Sequence, residues 1–294
     1  QKYRTYPFFD NKPHLRHKVI QVRNGGNDLL CRIKDASLQY MIISSGFYLD
    51  CQDYQSVHSF INGHYQGMLN LREPSNKHYA LANYGIDTDA VDQMELNTGV
   101  HVNAGTSDAF WEWYDLSVNA YDEKVYEEIE KIVDVDEFIN YMAVQIFLGG
   151  DDWPQNNCKG FKGHDGRFHI VLFDIDQALR YDKGSFDRLS SNCPLVAIFF
   201  NMLGNSDFRK QFIDTYCIVG GSIFEPQRCE EIINRIADEM RPALALEGLS
   251  PDDTVERMKN AKKHIPESGD IAIHSGITKE KKTIDAESTF PLNN

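Results

Sequence analysis

Between Asp151 and Asp176 the chain gathers four side chains whose types suit phosphate chemistry: Asp152, Asn157, Asp174 and Asp176. Asp152 and Asn157 sit on the loop Gly149-Gly150-Asp151-Asp152-Trp153-Pro154-Gln155-Asn156-Asn157, and the apolar run 169–173 delivers Asp174 and Asp176. A carboxylate beside an attacking hydroxyl can accept its proton as the new bond forms. Mg²⁺ is a hard ion that prefers carboxylate and amide oxygens, so Asn157, Asp174 and Asp176 are candidate metal ligands. Loops rich in Asp and Asn also make ordinary turns. That alternative is weaker for Asp174, because a carboxylate ending a buried strand is costly to leave unpaired.

These side chains need elements to hold them. Phe138, Tyr141 and Met142 recur at helical spacing and predict a buried helix over 136–148, ended by Gly149-Gly150. Two strands flank the turn Gly163-His164-Asp165-Gly166, the second over 168–173. Upstream, residues 19–22 read as a strand entering Asn24-Gly25-Gly26-Asn27, after which Asp28 caps a helix through Leu29, Ile33, Leu38 and Met41. Asn62-Gly63, between the runs 57–61 and 65–71, is the clearest hairpin signal. Helices follow over 76–84, closed by Gly85, and over 108–116 and 123–132. From Pro194 the pattern is helical over 194–203, 206–217, 226–240 and 251–262, with a polar tail after Ile265. Strands first and helices after argue an α+β fold.

With 294 residues, 41% hydrophobic and 25% charged, the chain has apolar material for a sizeable core, which excludes disorder as its main state. No apolar run approaches the roughly 20 residues of a membrane-spanning helix. The formal net charge of −14 repels phosphate backbones and disfavours non-specific nucleic-acid binding. Six cysteines include no C-x-x-C pair, so zinc-ribbon and thioredoxin-like chemistry lack support. Ten histidines show neither H-x-x-x-H nor H-E-x-x-H spacing, and each reads as a surface or capping residue. Gln1 opens the chain with no basic-then-apolar leader, as expected of a piece of a longer protein.

Protein kinases carry a loop Asp, an Asn five residues later and a strand-end Asp in this order. Three longer motifs extend the match: Gly63-x-Tyr65-x-Gly67-x-Leu69-Asn70-Leu71-Arg72-Glu73, then Asp152-Trp153-Pro154-x-Asn156-Asn157, then Phe173-Asp174-Ile175-Asp176. Together they resemble the spore-coat protein H (CotH) kinase family, in the form found in exported bacterial proteins. Arg23-Asn24-x-Gly26-Asn27-Asp28, Asp35-Ala36-x-x-Gln39 and Phe208-x-x-x-Phe212-Ile213 add to the resemblance, which covers roughly residues 3–240.

The resemblance implies an atypical protein-kinase-like α+β fold. Its small strand-rich N-terminal lobe would span 1–75 without its first strands, its helical lobe 76–265, and a polar tail 266–294. It also implies ATP and Mg²⁺ as cofactors, a protein hydroxyl as phosphate acceptor, and export to the cell envelope or medium. Asp152 takes the catalytic position, and Asn157, Asp174 and Asp176 the metal positions. Glu73 falls where a kinase changes lobes and meets adenine, although a strand-ending Glu also serves as a salt-bridge partner. There is no Gly-rich phosphate loop, and the family's Lys-bearing strand would lie upstream of Gln1. Lys18 and Arg23 are the cations that could reach phosphate instead; otherwise they are exposed strand residues. Residues 1–294 alone are then expected to bind Mg-ATP weakly and turn over little.

The same residues admit other classes. The stretch 171–176 looks like the opening motif of haloacid-dehalogenase-type phosphatases, with Asp174 as nucleophile and Asp176 as acid. That fold needs further strands after the motif, where this chain reads as helical. A nucleotide-sugar transferase D-x-D would need nucleotide-binding strands upstream. A third class is a non-catalytic (pseudokinase) binding module that keeps the fold as a scaffold. Retained carboxylates argue against it, and the missing Lys strand argues for it.

Overall fold

The computed structural model describes residues 3–12, 14–28, 31–163, 166–179, 189 and 192–268. Its strands are β1 (Arg4–Thr5), β2 (Arg16–His17), β3 (Gln21–Arg23), β4 (Gln55–Ile61), β5 (His64–Arg72), β6 (Asp92–Leu96), β7 (Val100–Ala104), β8 (Cys158–Lys162) and β9 (Phe168–Val171). Its helices are α1 (Lys34–Ile43), α2 (Lys77–Tyr84), α3 (Asp108–Ser117), α4 (Glu123–Ile132), α5 (Val135–Leu148), α6 (Pro194–Met202), α7 (Ser206–Ile218), α8 (Pro226–Leu246) and α9 (Asp252–Ser268). The strands form three antiparallel sheets, ordered β1-β2, β3-β5-β4 and β7-β6-β8-β9. The fold is α+β, as expected. Strands and helices interleave more than expected: β8 and β9 match the strands expected around the 163–166 turn, but β6 and β7, between α2 and α3, are additional.

Local chemistry accounts for most elements. Asn62 and Gly63 both take positive φ (51° and 81°), the primed turn that matches strand twist, and Ile61 faces His64 across it. Asn76 caps α2 by accepting from the His78 N–H at 2.9 Å, and Gly85 ends it at φ 71°. Helix α5 is buried along its length except at Asp136 and Asn140, and it packs against α7 and β9 at the centre of the main core.

Three expected boundaries differ. Helix α1 starts at Lys34, because Arg32 takes a positive φ of 61° that no helix accommodates. Asp28 still caps it, accepting from the N–H groups of Lys34 (2.8 Å) and Asp35 (3.3 Å) across a loop; Leu29 lies outside the described residues. Helix α8 does not stop before Pro242 but runs on to Leu246. The proline removes one N–H, and burial of Ala243 and Leu244 holds the last turn in place. Helix α9 extends to Ser268, past the expected start of the tail; residues 269–294 lie outside the described ones.

Glu247, at the end of α8, ties the C-terminal helices to β5. Its carboxylate accepts from Met68 N–H at 2.7 Å and from Arg32 Nη1 at 3.1 Å. This explains Gly67, which sits at φ 108° and where a Cβ would lie 2.6 Å from Glu247 Oε2.

Burial pushes the Asp28 carboxyl up to about 7 from its usual 3.8, with the Lys34 N–H opposing and the Asp35 charge adding to the rise. The folded state therefore holds a proton that the unfolded chain releases between about pH 4 and 7, so this group lowers stability as pH rises through that window. Asp28→Asn keeps an acceptor and removes the charge. Relative to wild type, the variant should gain on the order of 2–3 kcal/mol between pH 5 and pH 8. Paired urea unfolding curves at the two pH values measure this, and a difference that does not change with pH would refute it.

Candidate active site

The loop after α5 is fixed from both ends. Gly149 ends the helix in the left-handed region (φ 59°), and the Trp153 indole, fully buried, donates to Tyr141 Oη on α5 at 3.0 Å. Asn156 N–H donates to the Asp152 carbonyl at 2.9 Å, and Asn157, at φ 57°, turns the chain into β8. The Asn157 Nδ2 group donates to Asp152 Oδ2 at 2.8 Å and to the Asp174 carbonyl at 3.2 Å. That leaves Oδ1 as the Asn157 atom able to ligate a cation.

Strand β9 ends at Val171, two residues short of the expected end, and the chain is then held from α1 and its flank. Leu172 N–H donates to the Asp50 carbonyl at 2.8 Å and Ile175 N–H to Asp35 Oδ1 at 2.9 Å. Asp174 between them takes φ 53°. Two non-glycine residues in the left-handed region, joined by a hydrogen bond, each carry about 1–3 kcal/mol of strain. Such strain persists where the surroundings over-determine the geometry, and it clusters at functional sites.

Arg23, at the end of β3, reaches across to this turn. Its Nη2 pairs with Asp174 Oδ1 and with Asp176 Oδ2, the latter at 2.9 Å. The Asp176 side chain is 2% exposed and that of Asp174 is 29% exposed. Burial first, then the Asp174 charge, push the Asp176 carboxyl up to about 6, with Arg23 opposing. Burial also raises the Asp152 carboxyl above its usual range, helped by Asp174 and countered by the Asn157 hydrogen bond. Asp176 Oδ1 is buried and has no hydrogen-bond partner among the described residues.

Thus Asp152, Asn157, Asp174, Asp176 and Arg23 come together. Lys18 does not: it is exposed, with no ion pair among the described residues. Glu73 is buried elsewhere, at the end of β5, beside His14 (Nε2 to Oε1, 2.5 Å) and His17 (Nδ1 to Oε1, 3.4 Å). A cleft of about 470 Å³ between β4 and α8, lined by Tyr54, His58, Arg235 and Glu239 among others, contains none of the five.

The site also has supports that the functional reading of the sequence did not single out. Asp35 is buried and accepts from Arg72 Nη2, from Gln39 Nε2 at 3.1 Å and from Ile175 N–H. Burial works against its charge, but Arg72 and Arg23 hold its carboxyl below the usual range. Gln39 Oε1 accepts from Gln52 N–H at 2.7 Å, and Arg72 Nη1 donates to the Gln52 carbonyl at 3.0 Å. Arg72, Asp35 and Gln39 all fall inside the quoted motifs. Their spacing gave no hint that they form one buried network beneath the Asp174–Asp176 turn.

Oxygen donors converging from a loop and a strand end, crossed by an arginine, make a donor set suited to a hard divalent cation and to phosphate. The model of the family described as "CotH kinase protein" matches residues 22–250. The chain belongs to the CotH kinase family. No curated protein matches it.

Proposed function

We propose that this chain is a CotH-type kinase domain that uses Mg²⁺ and ATP to phosphorylate a hydroxyl group on a protein. The observation that carries this reading is the convergence of Asp152, Asn157, Asp174, Asp176 and Arg23 from three separate stretches of chain. The donors are oxygens, and the buried Asp176 Oδ1, without a hydrogen-bond partner among the described residues, suits a cation ligand. Asp174, Asp176 and Asn157 Oδ1 would hold Mg²⁺, whose charge would offset that of the nucleotide phosphates.

The protein's own groups then have distinct tasks. Arg23 is the strand-borne cation: it neutralises the acidic pair and offers a guanidinium fork to phosphate oxygens. Asp152, oriented by Asn157, accepts the proton of the attacking hydroxyl, and a carboxyl raised toward the working pH does this more effectively than an ordinary one. In this reading residues 1–75 form the smaller lobe, and 76–265, with the β6–β9 sheet, the larger. The acceptor is a protein rather than a nucleic acid, in keeping with the negative charge, and the domain acts outside the cytoplasm. No helix among the described residues is long and apolar enough to cross a membrane.

A scaffold reading is favoured by one observation: Arg23 bridging Asp174 and Asp176 is by itself a cross-link between β3 and the turn. Calorimetric titration of ATP separates the two. With Mg²⁺ present, affinity should exceed that in EDTA by roughly tenfold or more, a difference of about 1.4 kcal/mol. Asp174→Ala should remove most of that gain. Equal affinity in both buffers, or no binding in either, would favour the scaffold.

A further inference from the structure

The cluster around Glu73 is separate from the acidic site, and it lies beside other ties of the N-terminal segment to the core, Asn11 to Asp53 and Lys12 to Asp50. His14 precedes β2, His17 ends it, and Glu73 directly follows β5. One ligand atom from each lies within 4.8 Å of the others. Among the described residues, the pair β1-β2 is a two-stranded sheet with no hydrogen-bonded partner strand beyond itself.

We infer that His14, His17 and Glu73 form a site for a divalent transition-metal ion of the zinc class, which fastens the β1–β2 ribbon to the end of β5. The donor set is two imidazoles and one carboxylate, the ligand types that Zn²⁺ and its neighbours favour over Mg²⁺. In a tetrahedral site with bonds near 2.0–2.1 Å, donor atoms sit about 3.3 Å apart. His17 Nδ1 and Glu73 Oε1 are 3.4 Å apart, and His14 Nε2, at 2.5 Å from the same oxygen, needs to open by less than about 1 Å.

Burial gives the second, independent observation. The side chains of His14, His17 and Glu73 are 11%, 2% and 5% exposed. Glu73 Oε2, His14 Nδ1 and His17 Nε2 have no hydrogen-bond partner among the described residues. Of these, Glu73 Oε2 belongs to the coordinating carboxylate and could serve as a second oxygen donor, whereas His14 Nδ1 and His17 Nε2 lie on the ring edges away from the proposed ion, where ligating imidazoles ordinarily have a supporting acceptor. Phe8 and Phe9 edge the His17 ring at 5.4 and 5.6 Å, giving an apolar wall, and the nearby Lys12 ammonium, whose charge would oppose a cation, is paired with Asp50 at 3.0 Å. Gln52 fixes Glu73 from behind, donating to its carbonyl at 2.6 Å.

The test uses the whole chain without a histidine tag. Co²⁺ titrated into it should give visible absorption bands of low-coordinate cobalt at one equivalent, lost when Zn²⁺ is added. Zn²⁺ should raise the thermal midpoint and protect the 3–17 segment from proteolysis. His17→Ala should weaken Zn²⁺ at least about 100-fold, the upper end of what losing even a supporting group costs. His14→Gln, at the more exposed position, gives the same readout if His17→Ala fails to fold. Asp174→Ala should leave the cobalt bands unchanged, which separates this site from the proposed Mg²⁺ site. Absence of cobalt bands, or Zn²⁺ affinity unchanged in both histidine variants, would overturn the inference.

Discussion

Arg72→Met should be among the most destabilising single changes in this protein, costing about 3–5 kcal/mol. The guanidinium is 1% exposed and pairs with Asp35, which is itself buried. Methionine fills much of the volume, so the loss is chiefly that of a charge partner, leaving a buried carboxylate with the Arg23 charge and its Ile175 and Gln39 hydrogen bonds. The Gln52 carbonyl also loses its donor. Adding Asp35→Asn should recover a large part of the loss, because the amide keeps an acceptor for Ile175 N–H and carries no charge. Urea midpoints of the single and double variants form the measurement. A single variant within 1 kcal/mol of wild type, or a double variant no better than the single, would show that the network is not held by charge pairing. Because Asp35 positions the Ile175 backbone, the single variant should also bind Mg-ATP more weakly under conditions where it remains folded.

Where the sequence was easy to read, the signal was local. Asn62-Gly63 specifies its turn by backbone conformation alone, and Asn76 and Gly85 bracket α2 by capping. The β6–β7 hairpin was missed for the opposite reason. Its turn residue at positive φ is Thr98 (54°), with Gly99 one place later, so the expected turn signal is displaced. The strand partner that buries β6 is β8, more than 60 residues away, which no local pattern can announce. The same limit governs the site. Asp152, Asn157, Asp174 and Asp176 were legible as candidates because their types and order match the kinase pattern. Arg23 was legible only as one of two candidate cations, since its reach depends on β3 pairing with β5 in a register that sets Arg23 opposite Asn70. Glu73 was legible as a strand end and an adenine or salt-bridge candidate, but not as a neighbour of His14 and His17. Three-residue spacing from a loop into a two-residue strand is not a helical ligand pattern, and the third donor follows a strand of a different sheet.

Asp152→Asn should slow phosphoryl transfer by about 10²- to 10⁴-fold while leaving the fold and Mg-ATP affinity almost unchanged. Asparagine has the same shape and keeps an oxygen to accept the Asn157 Nδ2 hydrogen bond, so the loop geometry has no reason to move. What it lacks is a site for the proton leaving the attacking hydroxyl, and loss of a general base costs about 10²- to 10⁴-fold in rate. Stability should not fall. The wild-type carboxyl is raised by burial, so its charged form opposes folding as pH rises above the unfolded value, and removing the charge makes the variant at least as stable at neutral pH. The wild-type rate should climb with pH through a value above the ordinary Asp range, and the residual rate of the variant should lack that limb. Radiolabelled phosphate transfer to a protein acceptor, followed across pH and paired with Mg-ATP calorimetry, gives all three readouts. Turnover equal to wild type would remove Asp152 from the proton path. A variant that binds Mg-ATP as tightly as wild type and transfers phosphate about 10²- to 10⁴-fold more slowly is the pattern a base on Asp152 requires.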